Sequence, residues 1–338
     1  MKKIPVWLPY TSKIECKKDT VRFEYKGGEC EIDIKNTSSI LFYGAVCDIP
    51  EDFLALCTKR KVPVCVHRRN MPNATWIIPT SGCGADDIIS RQVVVRANAK
   101  KRAHIARKLL KAKFVGMNWL APEPFDFTVK LKTPEAMRSV EARHGRLYWD
   151  KYYAALGFKG YSRRGSPHTL KSVLDAVSKL IAGIILRYII YHRISPYHAF
   201  LHEPTDYPSL IYDLMEPYRG YIEKIVFDAF SNREEEMDDK KMLGLCISLV
   251  EDFLDTQVYC PATRQLVTFQ ELLHGNVLAL RSYLLGGSKQ FIVPIPGKPN
   301  GGRPVKTGYK LYGRAAGPTD FWAAAERTHQ AHEKRMRV

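Results

Sequence analysis

The stretch His198-Ala-Phe-Leu-His202-Glu-Pro-Thr-Asp206-Tyr-Pro-Ser209-Leu-Ile-Tyr212-Asp213-Leu-Met-Glu216-Pro-Tyr-Arg219 decides how the rest of this chain is read. A histidine in a Pro-containing loop is followed by two acids at i and i+3. A helix capped by Ser209 or Asp206 would project Asp213 and Glu216 from one face and turn Leu210, Ile211 and Leu214 toward the core. One loop imidazole and two helical carboxylates make a nitrogen and hard-oxygen donor set, which suits Mg²⁺ or Mn²⁺ better than a structural zinc. One more carboxylate would strengthen the set. Glu141 is the candidate, a lone acid among Arg138, Arg143 and Arg146 beside the aromatic pair Tyr148-Trp149. Taken singly, such acids are usually solvated or ion-paired. The constellation, and no single member, carries the reading of a metal site.

Working outward, charge is the next signal. Lys and Arg outnumber Asp and Glu by 52 to 35 in 338 residues, a formal charge of +17. That excess suggests a polyanionic partner, most simply nucleic acid, whose phosphates it would attract with release of counterions. Ribosomal contact, membrane attraction or a basic protein without such a partner are not separated by charge alone. The run Arg91 to Lys113 holds nine basic residues and no acid. Within it and just beyond, Ala99, Ala103, Ala106, Leu110, Phe114 and Met117 recur at helical spacing. One face packs and the other is positive, so Arg107, Lys111 and Lys113 are expected on a phosphate-tracking face. The loop Tyr161-Ser-Arg163-Arg164-Gly-Ser166-Pro167 is a second basic candidate. Tyr148, Trp149, Tyr152 and Tyr153 could stack on unpaired bases, but core packing is the preferred reading.

The pattern predicts an α+β protein: a β-rich N-terminal domain over residues 1–85, an α-helical catalytic domain over 86–285 and a basic Gly/Pro-rich tail over 286–338. Val21–Tyr25 and Cys30–Ile34 alternate about a Lys-Gly-Gly turn, the signature of a hairpin. Ile40–Tyr43 and Val62–Val66 read as strands around a helix near Pro50 to Lys59, with Trp76–Ile78 as a further strand. Thr133-Pro134-Glu135 can open the helix that bears Glu141, and Thr268-Phe-Gln-Glu271 is a capping-box pattern. Residues 286–318 carry six basic residues and no acid and are expected to be a mobile arm that orders on DNA or a partner. Eight cysteines without a C-x-x-C pair read as small core residues in a reducing cytoplasm. The N-terminus fails as a signal peptide, and the apolar run Leu180 to Ile190 is short and contains Arg187, so it reads as a buried helix and not a membrane span.

Three segments together are similar to a known family. Glu141-Ala-Arg-x-Gly-Arg-x-Tyr-Trp, Phe-Leu-His202, and Ser-Leu-x-x-Asp213-Leu-Met-Glu216-Pro-x-Arg219 resemble, in order and spacing, the metal motifs of the CRISPR adaptation integrase, the first of the CRISPR-associated proteins. The Val-Pro-Val-Cys-Val strand region resembles that family's N-terminal dimerisation domain more loosely. Arg107, Lys111 and Lys113 fall on its Ala-Arg-x-x-x-x-Lys pattern. Ser-Pro-His-Thr-Leu at 166–170 departs from the family's Asp-Pro-x-Asn-Ala. The resemblance implies that Glu141, His202 and Glu216 bind the metal with Asp213 as a further catalytic residue. It also implies a homodimer, double-stranded DNA as substrate (captured fragment and CRISPR repeat), and the second CRISPR-associated adaptation protein as a partner. The implied reaction is attack by the 3′-hydroxyl of the captured DNA on a repeat phosphodiester. The residues alone stop at metal-dependent phosphodiester chemistry, which a repair or processing nuclease acting on branched or single-stranded DNA would share, and a non-catalytic DNA-binding module is the third reading.

Overall fold

In the computed structural model, which describes residues 3–68, 74–80, 84, 86–121, 133–158, 161, 168–233, 238–298 and 305–315, the chain begins with a sheet. Its strands are β1 (Ile4–Lys17), β2 (Thr20–Tyr25), β3 (Gly28–Asp33), β4 (Thr37–Val46), β5 (Val64–His67) and β6 (Thr75–Ile77), in the order β3-β2-β1-β4-β5-β6, with helix α1 (Glu51–Arg60) linking β4 to β5. Among the described residues seven helices follow: α2 (Ile88–Ala97), α3 (Ala99–Met117), α4 (Pro134–Ala155), α5 (His168–Tyr191), α6 (Ser209–Ser231), α7 (Asp239–Leu254) and α8 (Phe269–Leu284). A small sheet of β7 (Gln257–Cys260), β8 (Gln265–Thr268) and β9 (Arg314–Ala315) lies about α8 in sequence.

The expected hairpin is β2-β3, antiparallel, with Val21 opposite Ile32 and Phe23 opposite Cys30. β4 runs parallel to both β1 and β5. Residues 37–44 of β4 are all buried, which fits a strand covered on both faces. One face packs Phe23, Phe42 and Phe53 with ring centroids 5.9 to 6.0 Å apart. On the other, Gly183 of α5 comes so close to β4 that a Cβ there would stand 2.7 Å from Ser39 Oγ. Strand β1 was not legible as such, because Pro5 and Pro9 interrupt its pattern. Its first half is paired to β4, while its second half pairs with β2. The Pro9 carbonyl accepts the Lys26 N–H at 3.2 Å, so Pro9, and Pro5 four residues earlier, point away from β4 and cost it no hydrogen bond.

The chain forms two compact units, Met1–Asp86 with Leu174–Pro196, and Asp87–Val173 with Tyr197–Val338. The boundary therefore differs from a simple cut near residue 85: α5 from Leu174 onward belongs with the sheet. Arg187, the one charge in that apolar run, donates to the Arg60 and Lys61 carbonyls at 3.3 and 2.9 Å and so satisfies the C-terminus of α1. Among the described residues no helix is long and apolar enough to cross a membrane.

Within the second unit, the basic run makes two helices, since the Asn98 side chain accepts the Lys101 N–H at 3.0 Å and starts α3 anew. Thr133 caps α4 with Pro134 in its first turn, as its sequence predicts, and Thr268 caps α8. Tyr148, Tyr152 and Tyr153 are fully buried and pack in the core, with Tyr148 and Tyr152 edge-on to Trp119 and Tyr152 edge-on to Tyr153 and Phe227. The expectation of a mobile arm after Gly286 is overturned for the described part of it. Phe291 and Leu311 are buried, Gln265 exchanges two hydrogen bonds with the Leu311 backbone, and β9 pairs with β8. The physical reason is tertiary: the strap has no periodicity of its own but α8 supplies its core, with Gly275 leaving room for Leu311. The buried Tyr218 hydroxyl lies 2.8 and 2.7 Å from the Leu272 and Pro294 carbonyls, within donating reach of either, and so sits where α6, α8 and the strap meet. Tyr218→Phe is expected to cost about 1–2 kcal/mol, read as a lower midpoint in urea unfolding with an unchanged slope.

Candidate active site

The site is built where α3 crosses α6. A Cβ on Gly220 would stand 2.2 Å from the Gly116 carbonyl oxygen, and one on Gly116 would stand 3.2 Å from the Pro217 carbonyl oxygen, so the two backbones touch through glycines. Trp119 Nε1 donates to the Gly220 carbonyl at 2.9 Å and fixes the crossing. Lys113 lies one turn before Gly116 on α3, and Glu216 lies one turn before Gly220 on α6. The crossing therefore brings these two side chains together. Lys113 Nζ is 2.6 Å from Glu216 Oε2 and 2.5 Å from Glu141 Oε1 of α4, while Arg219 Nε is 3.4 Å from the other oxygen of Glu216.

The histidine loop enters from the α6 N-terminus. Asp213 is 0 % exposed, and its Oδ2 accepts the N–H groups of Phe200 and Leu201 at 2.6 and 2.8 Å. Its Oδ1 accepts the His202 N–H at 3.1 Å and faces His202 Nδ1 at 2.6 Å. A carboxylate at Nδ1 holds the ring proton there and leaves Nε2 as the nitrogen able to ligate. The loop carbonyls are held from the opposite side. Gln92 donates to His198, Arg96 to Ala199 and Glu203, Arg102 to Phe200 and Arg138 to Leu201, at 2.7 to 3.1 Å. The Glu203 carboxylate closes the set against Arg102 and Arg138, each at 3.2 Å.

Charge in the site is balanced by these pairs. Burial disfavours a charged Glu216, but Arg219, Lys113 and His202 outweigh it and hold its carboxyl well below the usual range, at about 2. Burial likewise works against the Lys113 ammonium, yet Glu216 and Glu141 raise its pKa, so it stays charged. Burial also disfavours charged His202. The Asp213 hydrogen bond, with the charges of Asp213, Glu216 and Glu141, nevertheless raises the ring pKa above its ordinary value.

Among the described residues no three His, Cys, Asp or Glu side chains share a metal-ligating geometry. The donor chemistry nonetheless fits a hard divalent cation. Two carboxylate oxygens from separate helices converge on one positive nitrogen, and a loop imidazole with a free Nε2 feels both acids. The Lys113 ammonium supplies the positive charge that a cation held by those oxygens would supply.

The expected residues are thus placed as follows. Glu141, Glu216 and His202 belong to one electrostatic cluster. Asp213 has both oxygens occupied by the loop it anchors, so its place is that of a positioning residue and not of a group free to act on substrate. Neither Ser209 nor Asp206 caps α6: Ser209 is its first residue, and its hydroxyl donates to the Tyr197 carbonyl at 3.2 Å. Leu210, Ile211 and Leu214 are buried as expected. Lys113 does not lie on a phosphate-facing surface. It is 8 % exposed and turned into the carboxylates, because the face of α3 that carries Gly116 must meet α6. Lys111 is exposed and Arg107 is half-buried on α3, whereas Arg163 and Arg164 lie outside the described residues. The anchors Gln92, Arg96 and Arg102 were hidden in the basic run. A signal existed only for the crossing: a glycine three residues after Lys113 and another four after Glu216.

The chain matches the family described as CRISPR associated protein Cas1 over residues 8–123 and 126–247, and it belongs to that family. Over 90 residues it is 34% identical to a CRISPR-associated endonuclease Cas1 of Hyperthermus butylicus, an alignment spanning 26% of this chain and 27% of that relative. In fold it is similar to a casposase bound to integration product, with TM-score 0.71 and 18% identity over 87% of this chain and 93% of the other. A CAS1 protein from Thermotoga maritima gives TM-score 0.69 and 19% identity over 85% of this chain and 98% of that one. These likenesses confirm the N-terminal sheet followed by a helical region.

Proposed function

We propose that this chain is a metal-dependent DNA integrase and endonuclease that inserts captured DNA fragments into a CRISPR array. The observation that carries the reading is the convergence of Glu141 and Glu216 on one cation, beside a histidine whose Nδ1 is already committed to Asp213. Glu141, Glu216 and His202 Nε2 would hold Mg²⁺ or Mn²⁺. When bound, such an ion would polarise the scissile phosphate and lower the pKa of the attacking oxygen.

The protein's own residues do the rest. Asp213 and the Arg96, Arg102 and Arg138 anchors fix the histidine loop before substrate arrives, which matters because phosphoryl transfer depends on positioning and charge stabilisation. Arg219 keeps Glu216 ionised. Lys111 and the wider basic surface draw the duplex in. In integration, the 3′-hydroxyl oxygen of the captured strand bonds to phosphorus and the 3′-oxygen of the repeat strand leaves with the proton, so one ester replaces another and no water is consumed. With water as nucleophile the same centre is an endonuclease. The working assembly is a homodimer joined by the second CRISPR-associated protein on double-stranded DNA, since two separate 3′-ends must be held.

The test is strand transfer. Purified protein with Mn²⁺ or Mg²⁺, the second CRISPR-associated protein, a labelled short duplex and a supercoiled plasmid carrying a CRISPR repeat should yield label covalently joined to the plasmid. Glu141→Ala and His202→Ala are each expected to lower the yield at least about 100-fold, the loss of several kcal/mol that metal coordination supplies. Nicking without joined label would instead establish a processing nuclease. DNA binding unchanged by both substitutions, with no turnover in any metal, would leave a binding module.

A further inference from the structure

The Lys113 ammonium lies 2.5 Å from Glu141 Oε1 and 2.6 Å from Glu216 Oε2. Mg²⁺ sits about 2.1 Å from its oxygen ligands. A divalent ion held by these two carboxylates would need the room beside them that Nζ now fills. The two cations exclude each other by size and by charge. Arg219 is not in this conflict, because its Nε addresses the other Glu216 oxygen, at 3.4 Å.

We infer that Lys113 is an internal counter-cation: it holds Glu141 and Glu216 together before metal binds, and the incoming divalent ion must displace it from both. The inference rests on the metal-dependent reading above and goes beyond it by giving a role to a residue that is no ligand. Without a cation between them, two carboxylates of which one is 2 % exposed would repel each other in a poorly solvated place. Lys113 removes that repulsion and keeps the ligand set formed. Its flexible four-carbon stem lets the charge leave without moving α3, which the Gly116 to Gly220 contact fixes. The cost of expelling the ammonium weakens metal affinity. Divalent ion and lysine thus compete for one seat.

The consequence is measurable without any reaction. Mn²⁺ binding to the full chain, followed by calorimetry with Glu141→Ala as background, is expected to be about tenfold or more tighter in Lys113→Met than in the unaltered protein. Without metal the variant should melt lower than the unaltered protein, and Mn²⁺ should raise its melting temperature by the larger increment. A second measurement needs no variant. Acetic anhydride labelling of Lys113, read by mass spectrometry, is expected to rise when Mn²⁺ is added to the unaltered protein. Equal or weaker Mn²⁺ binding by Lys113→Met, or labelling that Mn²⁺ leaves unchanged or lowers, overturns the exchange while leaving the metal-dependent reading intact. If Mn²⁺ binding is no greater than in Glu141→Ala for every protein, the metal-dependent reading falls and the exchange with it.

Discussion

Gly220→Ala is expected to destabilise the helical unit by about 3 kcal/mol or more, a fall of roughly 6 to 12 °C in melting temperature for a unit of this size. The added Cβ would stand 2.2 Å from the Gly116 carbonyl oxygen and 2.7 Å from the Met117 nitrogen. Both are backbone atoms, so no rotamer change can relieve the contact and the helices must separate. Separation also carries Glu216 away from Lys113 and Glu141, so integration should fall together with stability. Gly244→Ala in α7 is the control. Nothing lies within 4 Å of its added Cβ, so the same substitution should be neutral or stabilising by up to about 1 kcal/mol. Differential scanning calorimetry of the two variants checks the pair, and equal melting temperatures would show that the close crossing does not matter.

Asp213→Ala is the second large effect. It strips the acceptor from three backbone N–H groups and from His202 Nδ1. Each buried donor left without a partner costs about 1–3 kcal/mol, so a loss of at least 3 kcal/mol is expected by urea unfolding. The loop then no longer fixes the ring tautomer that leaves Nε2 free, and strand transfer should drop further than the stability loss explains. Asp213→Asn separates the two effects. Its amide can accept only on one side, so at a temperature where the variant stays folded, strand transfer should fall about 10- to 100-fold. Unimpaired strand transfer by folded Asp213→Asn would show that the carboxylate does not position the histidine.

Much of the fold could be read locally. Alternation about Lys26-Gly27-Gly28 gives the β2-β3 hairpin, Thr133 and Thr268 mark helix starts, and the i, i+3, i+4 apolar pattern gives the buried side of α5 and α6. Such features depend on neighbouring residues, which is why a linear string contains them. β1 was hidden because proline normally breaks a strand, and only its pairing on one side makes Pro5 and Pro9 harmless. The strap after Gly286 was hidden because its order is lent by α8.

The candidate site divides in the same way. The donor types, their order and the spacing of His202, Asp213 and Glu216 are properties of the sequence, and they sufficed to name the family and the chemistry it implies. Which of nine basic residues between Arg91 and Lys113 meets phosphate, which anchors a loop and which neutralises two acids could not be read from the string. Arg96 and Arg102 reach carbonyls about a hundred residues away, and Lys113 turns inward because two glycines let α3 and α6 touch. Charge type is fixed by the residue, but partner and protonation are fixed by what the fold packs against it, and that only the tertiary structure decides.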